Sequence, residues 1–132
     1  MSLLYILDGH EPVPCDDLYE WGDQFHYLEN RRVAVDTLVN PIDGSGINIS
    51  TVFLGIDHGV FGSSPVLFET MVSGKCPYDE EMERYSTWDD AEKGHKNIVA
   101  SIQQWADTYH PPKDPEPVIH NHRRRVRVKK RS

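Results

Sequence analysis

The chain is short of cysteine, has no long apolar run and lacks the short motifs of nucleotide-binding and serine-nucleophile enzymes. Its two cysteines, Cys15 and Cys76, lie far apart and form no CxxC pair. That spacing argues against a disulfide framework and points to reduced thiols in a cytoplasmic protein. Neither thiol sits in a nucleophile context. No apolar stretch approaches the ~18–20 residues of a membrane span, so no membrane partner is expected. The first eight residues lack a basic start and Asp8 interrupts their apolar run, so they do not read as a signal peptide. GxSxG, the P-loop and GxGxxG are all missing, which leaves serine hydrolases and nucleotide-binding enzymes without support. No cofactor is expected and no metal is assigned.

What is present fits one folded domain with a tail. The chain has 132 residues, 38% apolar and 27% charged, long enough for one hydrophobic core and too apolar for wholesale disorder. Its net charge of −7 hides a split. Residues 1–112 hold 19 of the 21 acids but only six of the 14 lysines and arginines, and residues 113–132 hold the other eight. The boundary carries four of the nine prolines, at 111, 112, 115 and 117, and reads as a semi-rigid extended spacer. The expected organisation is a compact domain over 1–109, a Pro-rich linker over 110–119 and a basic tail over 120–132.

The tail suggests phosphate binding through Arg123, Arg124, Arg125, Arg127, Lys129, Lys130 and Arg131, an attraction that would weaken steeply with salt. The blander reading is a solvated terminus, disordered alone or folded back on the acidic body. Val126 and Val128 alternate with basic residues and could also add a strand to a sheet edge. No aromatic residue interrupts the run, so base stacking by the tail itself is not expected. His120 and His122 have chelating spacing in a strand, but two imidazoles in a tail more often bind nothing.

Along the body, residues 3–7 read as a strand, Asp8-Gly9 as a turn and residues 11–14 as extended chain held by prolines. A first helix should start near Asp16 or Asp17, with Glu20 placed as in a capping box, and stop by Asn30. Leu18, Trp21, Phe25 and Leu28 fall on one of its faces. Strands are expected over 32–39, 47–56, 66–72 and 82–86, the middle two paired antiparallel. The apolar run 52–56 suggests a central strand covered on both faces, or a central segment packed by helices. A second helix should begin after Thr87, an N-cap, with Trp88, Ala91, His95, Ile98, Val99, Ile102, Trp105 and Ala106 on one face and the pairs Asp89/Lys93 and Glu92/Lys96 on its surface. The order β-α-β-β-β-β-α predicts an α+β domain with a mainly antiparallel sheet of four to five strands and two helices.

Polar residues inside apolar elements mark one candidate site: Asp57 and His58 at the end of the central strand, Glu69 within the next strand, and His95 on the apolar face of the second helix. A buried carboxylate is costly unless paired. A His/carboxylate cluster would suit a divalent metal or acid–base work, although its spacing matches no known ligand signature. The structural alternative pairs Glu69 with Arg84 and hydrogen-bonds His95 to a loop carbonyl.

The segments Tyr5-Ile6-Leu7-Asp8-Gly9, residues 50–58 (STVFLGIDH), Leu67-Phe68-Glu69-Thr70-Met71, and residues 84–88 (RYSTW) through Gly94-His95 together resemble a family of small uncharacterised bacteriophage proteins. The resemblance covers roughly residues 4–100 and leaves out the spacer and tail. It implies a phage origin and a host-cytoplasm setting, and it transfers no catalytic residue.

Three function classes follow. The first is an accessory protein that binds a host or phage protein, with nucleic acid as a further partner of the tail. The second is a small enzyme or ligand- or metal-binding protein built on Asp57, His58, Glu69 and His95. The third is a minor virion or assembly component. The first is preferred because no catalytic motif is present.

Overall fold

A computed structural model describes residues 3–59 and 64–111. The chain opens with a hairpin. β1 (Tyr5–Asp8) turns at Gly9, where φ is +67°, and pairs antiparallel with β2 (Glu11–Pro14). Residues 11–14 are thus a true strand rather than merely extended chain. Pro12 and Pro14 are tolerated because a two-stranded sheet leaves each strand one edge that needs no amide donor.

α1 (Leu18–Phe25) is capped by Asp17, whose carboxylate accepts the amides of Tyr19 and Glu20 at 2.9 and 3.3 Å. It stops sooner than the periodicity predicts, and Leu28–Asn30 form a separate 3-10 turn. Leu18 and Leu28 are exposed, so they do not share a buried face with Trp21 and Phe25. The helix is held near Gly55 instead. Trp21 Nε1 donates to the Gly55 carbonyl at 3.1 Å. The Phe25 ring lies where a Cβ on Gly55 would sit, 2.0 Å from that position, and Gly55 has a φ of +76°. Beyond Phe25 no buried apolar contact remains to reward a longer helix.

β3 (Arg32–Val39), β4 (Gly46–Phe53), β5 (Phe68–Ser73) and β6 (Met82–Tyr85) form a second sheet in that order, every pair antiparallel. α2 (Trp88–Thr108) lies against all four strands. Thr87 caps it, accepting the Asp90 amide at 3.0 Å. The architecture is α+β, with two antiparallel sheets and two helices. The larger sheet has four strands, within the expected four to five. The N-terminal strand lies outside it, because the hairpin pairs with itself and meets the chain beyond β4 through the isolated Leu4–Ile56 bridge and the Tyr5 amide to Gly55 carbonyl bond.

Strand alternation decides what lies under α2. Ile47, Ile49, Thr51 and Phe53 on β4 and Phe68, Thr70 and Val72 on β5 are buried. They meet Ala91, His95, Ile98 and Ile102 of the helix. One apolar cluster holds Ile47, Ile49, Val72, Ile98 and Ile102, and another holds Phe53, Leu67, Phe68 and Ala91. Thr51, Thr70 and His95 fall between the two along their own elements. Among the described residues the opposite face of the sheet has no such cover, and there β4 is central but buried on one side only, not on both. Its regular pairing ends at Phe53.

Among the described residues, no helix is long and apolar enough to cross a membrane. Most of the spacer and the whole basic tail, including Arg123, Arg124, Arg125, Arg127, Lys129, Lys130 and Arg131, lie outside the described residues.

Candidate functional site

The four polar residues singled out from the sequence have separate duties. Asp57 Oδ1 accepts the amides of Gly59 at 2.7 Å and Val66 at 2.9 Å, clamping the two ends of the intervening loop. Those two backbone bonds, Val66 first, hold its carboxyl below the usual carboxylate range. His58 is exposed, and its amide donates to the Val66 carbonyl at 2.9 Å. Glu69 points to the uncovered face of the sheet, where Arg84 Nε meets its carboxylate at 3.0 Å. His95 is 2% exposed on the covered face. Glu69 and His95 are therefore on opposite sides of the same sheet. Among the described residues no two of the four share a hydrogen bond, and no group of three His, Cys, Asp or Glu side chains is placed to hold a metal ion.

His95 has partners that sequence reasoning missed. Its Nδ1 lies 2.7 Å from Thr51 Oγ1 and its Nε2 lies 2.7 Å from Asp36 Oδ2. No loop carbonyl is involved. Thr51 is also hydrogen-bonded to Thr70, its direct neighbour across β4 and β5. The Tyr85 hydroxyl lies 3.2 Å from Thr70 Oγ1 and 3.0 Å from Glu83 Oε1. Burial first, and then the Glu83 carboxylate, push the Tyr85 phenol up to about 12 against the opposing effect of Thr70. Gly94 makes room for this group, since a Cβ there would lie 2.3 Å from the Tyr85 hydroxyl. Every polar side chain in the layer finds a partner, as burial requires.

The order hydroxyl, imidazole, carboxylate in Thr51, His95 and Asp36 is that of an acyl-transfer triad. Thr51 has no exposed surface, and its hydroxyl is enclosed by Thr70 and His95. No substrate reaches it, so the array serves the interior.

The uncovered sheet face is the accessible feature. Register places Val35, Ser50, Met71 and Met82 in one row across all four strands. Val35, Met71 and Met82 are 42%, 41% and 51% exposed. The next row carries Arg32, Val52, Glu69 and Arg84. Val39, further along β3, is exposed as well.

Comparison with protein-family models, curated proteins and solved structures found no match, so function has to be read from the residues themselves.

Proposed function

We propose that this protein is a binding module that docks a protein partner on the open face of its four-stranded sheet. The supporting observation is the row Val35, Ser50, Met71, Met82, whose members on β3, β5 and β6 are apolar and exposed. Exposed apolar side chains grouped on one sheet face mark interaction sites. Two of the three are methionines, whose flexible thioethers adapt to a partner's shape.

Charge selects the partner. Glu69 is held by Arg84, which leaves Arg32 as the uncompensated charge at the edge of the row. A fitting partner offers apolar side chains flanked by carboxylates. A second copy would offer Arg32 no uncompensated carboxylate on the same face. Nucleic acid fits this face poorly, because its rows hold only these two cations and no aromatic ring for base stacking. The resemblance to bacteriophage proteins would make the partner a host or phage protein met in the host cytoplasm.

A second reading gives the tail a separate role as a phosphate-binding arm, favoured by the concentration of basic residues beyond position 112.

The test uses the full chain with Val35→Glu or Met71→Glu, and Gln103→Glu on the exposed side of α2 as control. A specific partner should bind the wild type and the control, lose at least tenfold in affinity with either sheet-face variant, and re-form the complex from purified components. Equal binding by all forms would overturn the assignment. A titration with DNA and RNA at several salt concentrations, comparing the full chain with residues 1–112, tests the tail. A steep salt slope lost on truncation supports the arm, and absence of binding removes it.

A further inference from the structure

Six side chains form one hydrogen-bonded line through the interior. It runs from Asp36 on β3 to His95 on α2, then to Thr51 on β4, Thr70 on β5, and Tyr85 and Glu83 on β6. Both ends are exposed carboxylates, and the threonines between them have no exposed surface. From the elements packed on α2 at this level, the titratable groups facing His95 are Asp36 directly and Tyr85 and Glu83 through the threonines. On its own helix, Lys93 and Lys96 are exposed.

Counting hydrogens shows what the line requires. It has five contacts, and each needs one hydrogen. Ionised carboxylates supply none. Thr51, Thr70 and Tyr85 supply one each, a neutral imidazole supplies one and an imidazolium two. With neutral His95 one contact therefore goes without. With the imidazolium all five are filled, and every hydroxyl donates toward Glu83.

We propose that Asp36, His95, Thr51, Thr70, Tyr85 and Glu83 form a single proton-sensing unit that links the charge on His95 to the Tyr85–Glu83 contact at the sheet edge. When the unit loses its extra proton, Tyr85 passes its hydrogen to solvent beside Glu83. Thr70 passes one to Tyr85, Thr51 one to Thr70, and His95 Nδ1 one to Thr51. One proton leaves, the three hydroxyls reverse direction, and His95 keeps its Nε2 hydrogen on Asp36. The unfilled contact then falls between Tyr85 and Glu83, where water replaces it at least cost. At the other end it would set a bare Nε2 of the buried His95 against the Asp36 carboxylate. An unfilled contact between Thr51 and Thr70 would have no water to relieve it. β6 has four residues and lies at the sheet edge, so it is the element that registers the change. This inference rests on the interior contacts alone and stands apart from the docking role.

The test is a pH series by NMR on the full chain with labelled histidine and tyrosine side chains. The nitrogen signals of His95 should pass from the doubly protonated pattern to the neutral Nε2–H pattern, and the Tyr85 ring signals should move at the same pH. In Thr70→Val the His95 step should persist while the Tyr85 step is lost. Glu83→Gln lies at an exposed position and keeps the side chain's length and shape. Its amide donates to Tyr85, supplies the missing hydrogen and so completes the neutral form, which should move the His95 step to lower pH. The proposal is overturned if Tyr85 stays still through the His95 step, if Glu83→Gln leaves that step in place, or if His95 shows one protonation state wherever the protein is folded.

Discussion

At Asp57 one carboxylate oxygen holds a loop closed by accepting two amides. Its carboxyl lies below the ordinary 3.8 because those bonds favour the ionised form. The sign follows from linkage. The contribution is fully present above 3.8 and is lost as pH falls through the lower folded value. Urea unfolding along an acid series should show Asp57→Asn with a flatter acid limb than the wild type. Asp43, held at about 2 by Ser45 and then Lys75, acts with the same sign, and its contribution is lost as pH falls toward 2. Two glycines give opposite signs for one substitution. Gly22 has open space around it, so Gly22→Ala should stabilise α1 by ~0.5–1 kcal/mol. Gly94→Ala drives a methyl into the Tyr85 hydroxyl and should lower the melting temperature despite the better helix propensity. The caps at Asp17 and Thr87 were legible in the sequence, because capping depends on local spacing. The partners of His95 were not. Thr51 and Thr70 look like ordinary β-branched strand residues and Asp36 like a surface acid, and only sheet register brings them together.

The elements show where local signals decide and where packing overrides them. α2 carries its start signal, its apolar stripe and its surface pairs in the sequence, and it forms as that pattern predicts. Thr87→Ala should cost about 1 kcal/mol of stability, measured by denaturant unfolding. α1 has a start signal too, but its length is set by Gly55 receiving Phe25, a contact 30 residues away in the chain that no helical period reveals. Apolar neighbours make Glu69 look like a polar residue inside an apolar strand. In fact Met71, two residues on, shares its uncovered face, and apolar residues on an open face are indistinguishable in sequence from core. β6 is fastened partly through Tyr85. With its phenol at about 12 rather than 10, the folded state holds that proton more tightly than the unfolded state. The stabilisation is present below pH 10 and lost as pH rises toward 12. Absorbance titration should show one tyrosine ionising late, and Tyr85→Phe should remove it.

For the whole molecule, the distribution of charge and apolar surface matters more than any single residue. The acidic groups of the body leave the row Val35, Ser50, Met71, Met82 free of negative charge, and the flanking Glu69 is held by Arg84. The α+β class and the two helices were legible from periodicity and caps. Which face of the sheet stays open was not, because that depends on α2 crossing one side only. The chain has three methionines, Met1, Met71 and Met82, and two of them lie in the proposed docking row. The most direct measurement is therefore the methyl spectrum of methionine-labelled protein, alone and bound to its partner. The account predicts that the Met71 and Met82 methyl signals shift or broaden on binding. A stable complex that leaves the Met71 and Met82 signals where they were would contradict it.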